Sequence, residues 1–388
     1  MHVVEIPSFF PPYGGLFCLD QAKALRSLGH EVRILSNVQL GATIGLRDYV
    51  VRPYHRFEHQ MDGVTVCQSY QRGVPRAVRW NARRWVGIVC RMFGDYVAKY
   101  GRPDVLHAHC TKWAGYAAMR LGREYRLPYV VTEHLALRDY ATELGMPPSA
   151  SWQIPLLRES LQRAACVIPV SEEVVTDLSG YFGTDYRWQA IPNLIDCDFF
   201  RYRQRASRQG RPFRFCCIGL LTERKGYDVL LRAFRRVQQE WPDAELHVAG
   251  RGTDSGRFHR LMVEAGVERG VLRHGEISKA GVLDVLYQSD ALVLATRGET
   301  QGLALLEALS TGIPAISTEA IPPSVRPGKG CVFVPVDDVG ALAEAMRRVV
   351  ACPVPDGAEL SETVCRMASP EVIARRIAAV LEASCRRQ

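Results

Sequence analysis

Residues 289–318 read SDALVLATRGETQGLALLEALSTGIPAIST. Ala291 to Ala295 form an apolar run long enough for a buried strand and too short for a helix. A polar break follows, Thr296-Arg297-Gly298-Glu299-Thr300-Gln301-Gly302. Leu303, Leu306 and Leu309 then keep helical spacing, with Ala304 and Ala308 between them. Gly312-Ile313-Pro314 stops that helix, with glycine after the last turn and proline beyond it. Ala315-Ile316-Ser317 reads as the next parallel strand. Glu299 and Glu307 fall on either side of the helix N-terminus, whose free N–H groups and positive dipole end suit a phosphate.

The same alternation of strand and helix runs the length of the chain, and it predicts parallel sheets covered by helices on both faces. In the first half, strands are expected over 2–6, 31–36, 64–69, 104–109, 129–132, 166–170 and 188–191. Helices are expected over 16–28, 76–99, 111–126, 154–164 and 172–181, the last with Ser171 as its N-cap. Residues 37–62 read as an irregular excursion, and 137–152 as a loop around Pro147-Pro148. Residues 201–211, RYRQRASRQGR, are polar, basic and without periodicity, which predicts a linker. Beyond it, strands are expected over 213–218, 245–249, 271–274 and 330–334, besides those of the opening stretch. Helices are expected over 227–240, 255–265, 279–288, 339–351 and 370–383. The fold class is therefore α/β, with two successive halves, each of a plausible domain size. A cleft between two such halves is where ligands prefer to sit.

Bulk properties narrow the function. Of 388 residues, 47% are hydrophobic and 23% charged, an ordinary globular composition. No apolar run approaches the roughly 18 residues of a membrane span. The opening MHVVEIPSFFPPYGG lacks the basic and apolar regions of a signal peptide, so a cytoplasmic protein is expected. The twelve cysteines show no CxxC pair and no Cys/His metal spacing, which argues against disulfides and structural zinc. A net charge of +8 falls well short of a nucleic-acid-binding composition. The basic excess is local. Arg72, Arg76, Arg79, Arg83, Arg84, Arg91, Lys99 and Arg102 face one acid, Asp95, with Trp80, Trp85 and Phe93 interleaved. Two readings compete: a surface for anionic membrane or a lipid-linked acceptor, or a solvated helix packing Val86, Val89 and Phe93 inward.

Four features carry chemistry. Glu299 lies in a loop at the carboxyl end of a buried strand, and Glu307 lies on a helix of otherwise apolar or small residues. A glutamate buried there needs a partner, and sugar or ribose hydroxyls would serve. Arg224-Lys225-Gly226 follows the strand 213–218 and opens a helix, where a lysine can neutralise phosphate. Gly14-Gly15 follows the first strand and allows close backbone approach to an anion. Gly250-Arg251-Gly252 either backs a nucleotide in the same way or makes a tight turn. None of these is a GxGxxG or Walker pattern, which weakens readings as an NAD or ATP protein. Last, His107 and His109 share one face of a strand, with His109 nearer its carboxyl end. Glu133-His134 ends the next strand and reads as acceptor-side polarity.

These stretches resemble a known family. PPYGG with its helix and LGHEVRILS, DVLHAHC, VTEH, PVSEEV, IPNLID, IGLLTERKGYDVLLRAF, LHVAGRG and SDALVLATRGETQGLALLEALSTGIPAIS are similar to the retaining glycosyltransferases of family 4. The resemblance spans nearly the whole chain. Its most specific element is the pair of glutamates, Glu299 and Glu307. It implies a GT-B fold of two Rossmann-like, doubly wound domains facing across a cleft, with an acceptor-side domain over 1–200, a donor-binding domain over 201–369, and a last helix, 370–388, crossing back to the first. By position it implies that Glu299 contacts donor-sugar hydroxyls and Glu307 holds the ribose. Lys225 would bind the diphosphate together with the backbone of Thr300, Gln301, Gly302 and Leu303. Gly15 would lie near the donor phosphate, His109 would touch the transferred sugar, and Glu276 and Ile277 would lie near the base. Two departures stand out. Leu220 occupies a position where an arginine is usual, which leaves Arg224 to compensate, and Gln301 replaces a usual aromatic.

The implied reaction is transfer of a sugar from a nucleotide-diphosphate donor to a hydroxyl acceptor with retained configuration. No metal or other cofactor is expected, and Asp337-Asp338 reads as a helix cap. The expected partners are a nucleotide sugar and a glycan or lipid-linked acceptor, with the basic helix a candidate for peripheral contact at the inner face of an anionic membrane. Nucleic acid is not expected. The rivals are a sugar-nucleotide epimerase or a phosphorylase on the same fold, or a catalytically silent sugar-nucleotide-binding subunit.

Overall fold

A computed structural model describes residues 1–12, 14–41, 50, 55–144, 151–204, 210–352 and 356–386. Parts of the expected excursion, of the loop at 137–152 and of the linker lie outside these residues. The chain divides into two compact units, one built from Met1–Leu194 with Pro370–Gln388 and the other from Ile195–Ser369. The boundary falls ahead of the expected linker. Ile195 and Phe200 are buried in the second unit's core, and the Ile195 N–H donates to the Ala368 carbonyl at 2.7 Å.

The first unit carries β1 (His2–Pro7), β2 (Glu31–Leu40), β3 (His55–Met61), β4 (Val64–Arg72), β5 (Val105–His109), β6 (Tyr129–Glu133) and β7 (Cys166–Pro169). Their order is β3-β4-β2-β1-β5-β6-β7, parallel throughout except for the antiparallel edge strand β3. The order reverses between β1 and β5, so the switch point lies there, where doubly wound sheets bind ligands outside the carboxyl ends of their strands. On one face, Leu16–Ser27 and the final helix Pro370–Cys385 pack Leu19, Leu25, Ile373, Ile377 and Leu381 against the sheet. Each such buried side chain contributes about 1.5–3 kcal/mol. The other face is covered by Val78–Tyr100, Tyr116–Tyr125 and Ile154–Gln162.

The second unit carries β8 (Arg214–Ile218), β9 (Glu245–Ala249), β10 (Val271–Gly275), β11 (Ala291–Leu294), β12 (Ala315–Thr318) and β13 (Cys331–Val334), all parallel, in the order β10-β9-β8-β11-β12-β13. Its switch point lies between β8 and β11.

The structure corrects several expectations. Residues 37–40 extend β2, and 55–61 pair as β3. Leu137–Leu144 is a helix, not a loop. Residues 188–191 make only an isolated bridge, Val167 to Trp188. Gly357–Ala368 is a helix the periodicity did not single out, and the Asp356 side chain caps it by accepting from the Ala358 and Glu359 N–H groups. Ser171 precedes its helix without a side-chain cap, whereas Asp338 caps Val339–Ala351 as expected.

Candidate functional site

In the second unit the expected donor residues gather along one edge of the sheet. Gly219 and Leu220 follow β8, Gly250 follows β9, Glu276 and Ile277 follow β10, and 296–302 follow β11. Two glycines let these loops close. A Cβ on Gly226, whose φ is +62°, would lie 1.9 Å from the Ala295 carbonyl oxygen. A Cβ on Gly250, whose φ is +140°, would lie 2.0 Å from that of Gly219. No other residue tolerates either approach.

The loop after β8 is thereby seated on the loop after β11. The Arg297 N–H donates to the Arg224 carbonyl at 2.7 Å. The Arg297 guanidinium binds the Glu223 carbonyl at 2.7 Å, Asp228 at 2.9 Å and Asp337 at 2.6 Å. Arg297 is thus the clamp between the loops, and Asp337 serves it rather than the helix cap. This seating brings Lys225 and Glu299 together: Nζ donates to Oε1 at 2.5 Å. Thr296 Oγ1 donates to the same oxygen at 3.1 Å, and Arg224 stands 3.8 Å from Oε2. The Glu299 side chain is only 8% exposed, so this pair is largely screened from water.

Gly302, at φ +81°, opens the helix Leu303–Ser310 directly beside Glu299 and Thr300. Glu307 sits half-buried on the next turn, and Gln301 is buried. Leu220 is 40% exposed at the same edge, so Arg224 and Lys225 are the cations nearest Glu299. Glu276 is exposed and Ile277 half-buried beyond Gly275, whose carbonyl accepts from the Gly250 N–H at 2.7 Å.

In the first unit the switch point holds a buried polar ladder centred on a residue the motifs did not flag. Glu5, in the middle of β1, is fully buried. Its Oε2 lies 2.6 Å from His109 Nε2 and 3.0 Å from His107 Nδ1. His107 Nε2 meets Thr132 Oγ1 at 2.7 Å, and His109 Nδ1 meets His134 Nε2 at 3.2 Å. One set of protons satisfies every bond. Both His107 Nδ1–H and His109 Nε2–H donate to an anionic Glu5, the Thr132 hydroxyl donates to His107, and His134 Nε2–H donates to His109 Nδ1. Burial alone would raise the Glu5 carboxyl, but His107 and His109 outweigh it and hold it down to about 2. Burial lowers His109, and lowers His134 well below the usual histidine range. Both imidazoles are therefore neutral near pH 7.

The ladder revises the expected role of His109. It is fully buried with both ring nitrogens bound inside the unit. His134 forms the outer end, with Phe17 stacked on it at 3.8 Å between centroids. Gly15 precedes Phe17 at φ +82°, where a Cβ would lie 2.0 Å from the Phe9 carbonyl oxygen, and Gly14 takes φ +100°. Both glycines thus stand in the loop that leads to Phe17.

Glu133 is also not the ligand-facing group expected. Oε2 accepts from the Thr111 N–H at 2.9 Å, the Thr111 hydroxyl at 2.5 Å and the Tyr140 hydroxyl at 2.6 Å. Oε1 accepts from the His134 and Leu135 N–H groups, both at 2.9 Å. Its bonds anchor the turn after β5, where Cys110 is held at φ +69°, a conformation that costs a non-glycine residue roughly 1–3 kcal/mol. The π-helical turn Thr111–Gly115, expected as plain helix, carries Trp113.

The ladder makes the protein acid-sensitive. Unfolded histidines protonate near pH 6.5, whereas His109 and His134 resist it, so below that pH the unfolded chain binds more protons and stability falls. Stability and Tm are therefore expected to fall as the pH drops from about 7.5 to about 5.5. Differential scanning fluorimetry across that range checks it, and a flat Tm would refute neutral burial of the pair.

Residues 15–193 match the glycosyl transferase 4-like domain, and residues 212–352 match glycosyl transferases group 1. The chain is 30% identical over 384 residues to the glycogen synthase of Mycobacterium tuberculosis H37Rv, covering 91% of this chain and 87% of that protein. Sucrose-phosphate synthase from Thermosynechococcus elongatus superposes with a TM-score of 0.79 at 20% identity, covering all of both chains. The Anabaena protein Alr3699/HepE, solved with UDP and glucose, superposes with a TM-score of 0.74 at 16% identity, covering 99% of this chain and 100% of that one.

Proposed function

This chain belongs to the group 1 glycosyl transferases of the family 4 type, with the GT-B fold, and on that premise we propose a retaining transfer from a nucleotide-diphosphate sugar to a hydroxyl acceptor. The observation that carries the reading is the meeting of Lys225 and Glu299 at the second unit's switch point, beside the N-terminus opened by Gly302. Charge grows on the leaving diphosphate as the glycosidic bond breaks. Lys225, Arg224 and the helix-end N–H groups of Leu303 and its neighbours are preorganised to stabilise it. Glu299 orients sugar hydroxyls, Glu307 takes the ribose, and the backbone around Gly250, Glu276 and Ile277 backs the base. These protein cations supply the positive charge in this scheme, without a metal.

The chain supplies no nucleophile in this reading. The acceptor hydroxyl attacks from the face that the diphosphate leaves, and a diphosphate oxygen takes its proton. His109 contributes through the ladder that sets His134, and Gly14 and Gly15 admit the donor phosphate. Incubating purified protein with labelled nucleotide sugars and acceptor saccharides tests the scheme. Transfer with the donor's anomeric configuration, read by NMR, is expected. An inverted product would overturn retention, and failure to bind, hydrolyse or transfer any donor would overturn the reading itself.

The proposed acceptor is a lipid-linked or cell-surface polysaccharide precursor, reached by peripheral contact with an anionic membrane. No described helix is long and apolar enough to cross a membrane. Val78–Tyr100 packs Trp85, Val89, Met92 and Phe93 inward, as the competing reading of the basic helix required. At its start, however, Val74, Val78 and Trp80 are 42%, 53% and 49% exposed, and the Arg84 guanidinium lies 5.0 Å over the Trp80 ring. Apolar groups beside guanidinium groups suit an anionic interface. Sedimentation with phosphatidylglycerol vesicles that weakens as salt rises is expected. Equal partition with neutral vesicles would refute it.

A further inference from the structure

The first unit holds a cavity of about 610 Å³ beside the start of the basic helix Val78–Tyr100. Arg79, Arg83 and Arg120 line it together with Trp113, Tyr116 and Trp152, and among the described residues no acidic one does. Trp113 and Trp152 stack at 5.7 Å between centroids with planes 23° apart, and the Arg79 guanidinium lies 5.3 Å over the Trp152 ring. Among the described residues, no carboxylate pairs with any of the three arginines. Trp113 rides on the turn Thr111–Gly115 that follows β5, so one wall of the cavity is built at the carboxyl end of that strand.

We propose that this cavity binds a saccharide bearing an anionic group, either a uronate carboxylate or a glycosyl phosphate. Indole faces pack against the C–H faces of a sugar ring while keeping a polar edge for its hydroxyls. Guanidinium forks match carboxylate or phosphate oxygens in pairs. A neutral sugar uses the first wall and leaves the second unmatched. The volume falls within the range of small-ligand pockets, roughly 300–1,000 Å³. A concave aromatic wall favours an inserted ring over a flat lipid surface. The proposal rests on the acceptor-side reading of this unit and narrows it to an acidic acceptor.

The test is calorimetric titration of the full chain with cellobiose, cellobiouronic acid and cellobiose 1-phosphate, with phosphatidylglycerol vesicles as a fourth arm. An acidic disaccharide is expected to bind about tenfold or more tightly than cellobiose, and the two acidic probes separate carboxylate from phosphate. The exposed Arg83→Gln/Arg120→Gln pair should cut that preference at least about fivefold while keeping weak cellobiose binding. Trp152→Ala should weaken all three disaccharides. Equal affinity for acidic and neutral disaccharides, an unchanged preference in the arginine variant, or binding to the vesicles alone would each overturn the proposal. Thermal shift of the same samples with a nucleotide-sugar panel reports separately on the donor. If saccharides bind and no donor does, the transferase reading fails and the cavity assignment stands.

Discussion

Glu299→Ala is expected to lower sugar transfer by about a hundredfold to a thousandfold while leaving affinity for the free nucleoside diphosphate within about threefold. The Glu299 carboxylate is nearly buried and holds three groups at once, Lys225, Arg224 and Thr296. A bond that a nearly buried carboxylate makes to the reacting sugar strengthens as charge develops, so its loss appears mainly in kcat. Lys225→Ala separates the two partners. It should weaken nucleoside diphosphate binding by about tenfold or more, because Lys225 is the nearest cation to Glu299 at this edge and Leu220 supplies none. It also leaves Glu299 with Arg224 at 3.8 Å as its remaining cation, so some loss of stability accompanies it. Because the residues touch, the double variant should cost less than the two single losses summed. Titration with UDP, ADP and GDP beside steady-state kinetics reads both quantities. Full transfer activity in Glu299→Ala would remove this residue from the site.

The gathering of these residues at the second unit's switch point was legible because its signals are local. Glu299, Glu307, Gly302 and Pro314 lie within one strand–loop–helix stretch, and Lys225-Gly226 within another. Each has a backbone reason that needs no knowledge of the rest of the chain. The parallel sheets were legible for the same reason, since strands buried on both faces read as continuous apolar runs. Strand order was not, because it depends on which crossover goes to which side. The edge strand β3 escaped notice because HRFEHQM is polar and largely solvent-facing, like a loop. Arg297 looked like a loop arginine because its partners sit at 223, 228 and 337. Expectations for His109 and Glu133 rested on their places at strand ends and, for His109, on the resemblance. Whether a polar side chain at a strand end faces a ligand or a neighbour depends on the adjacent strands. Here the neighbours claimed both residues. Glu5 was visible as the one charge in an otherwise apolar strand, HVVEIP, but its partners stand more than a hundred residues away.

That isolated charge should be costly to remove. Glu5→Leu fills the space but leaves His107 Nδ1–H and His109 Nε2–H buried without an acceptor, at about 1–3 kcal/mol each. Part is recovered from the apolar side chain, so a net loss near 3 kcal/mol is expected, about 6–12 °C in the Tm of a unit this size. Glu5→Gln separates charge from shape. Its carbonyl oxygen still accepts, with a lone pair for each histidine, but its NH₂ group replaces the second carboxylate oxygen and confronts the histidine nearest it with a donor. One imidazole must therefore exchange the nitrogen that carries its proton. If that is His109, the change passes along the ladder, because the His134 Nε2–H would then face a second N–H. Glu5→Gln should thus unfold at a temperature between those of the native chain and Glu5→Leu. Long-range ¹H–¹⁵N spectra should show a reversed tautomer at His107 or His109. In the native chain the same spectra should show His109 protonated on Nε2 and His107 on Nδ1. A native His109 protonated on Nδ1, or an unchanged Tm in Glu5→Leu, would mean that Glu5 does not organise the ladder. A fall in kcat for Glu5→Gln with the donor KM unchanged would tie the ladder to turnover through the placement of His134, since Glu5 itself is sealed from any substrate.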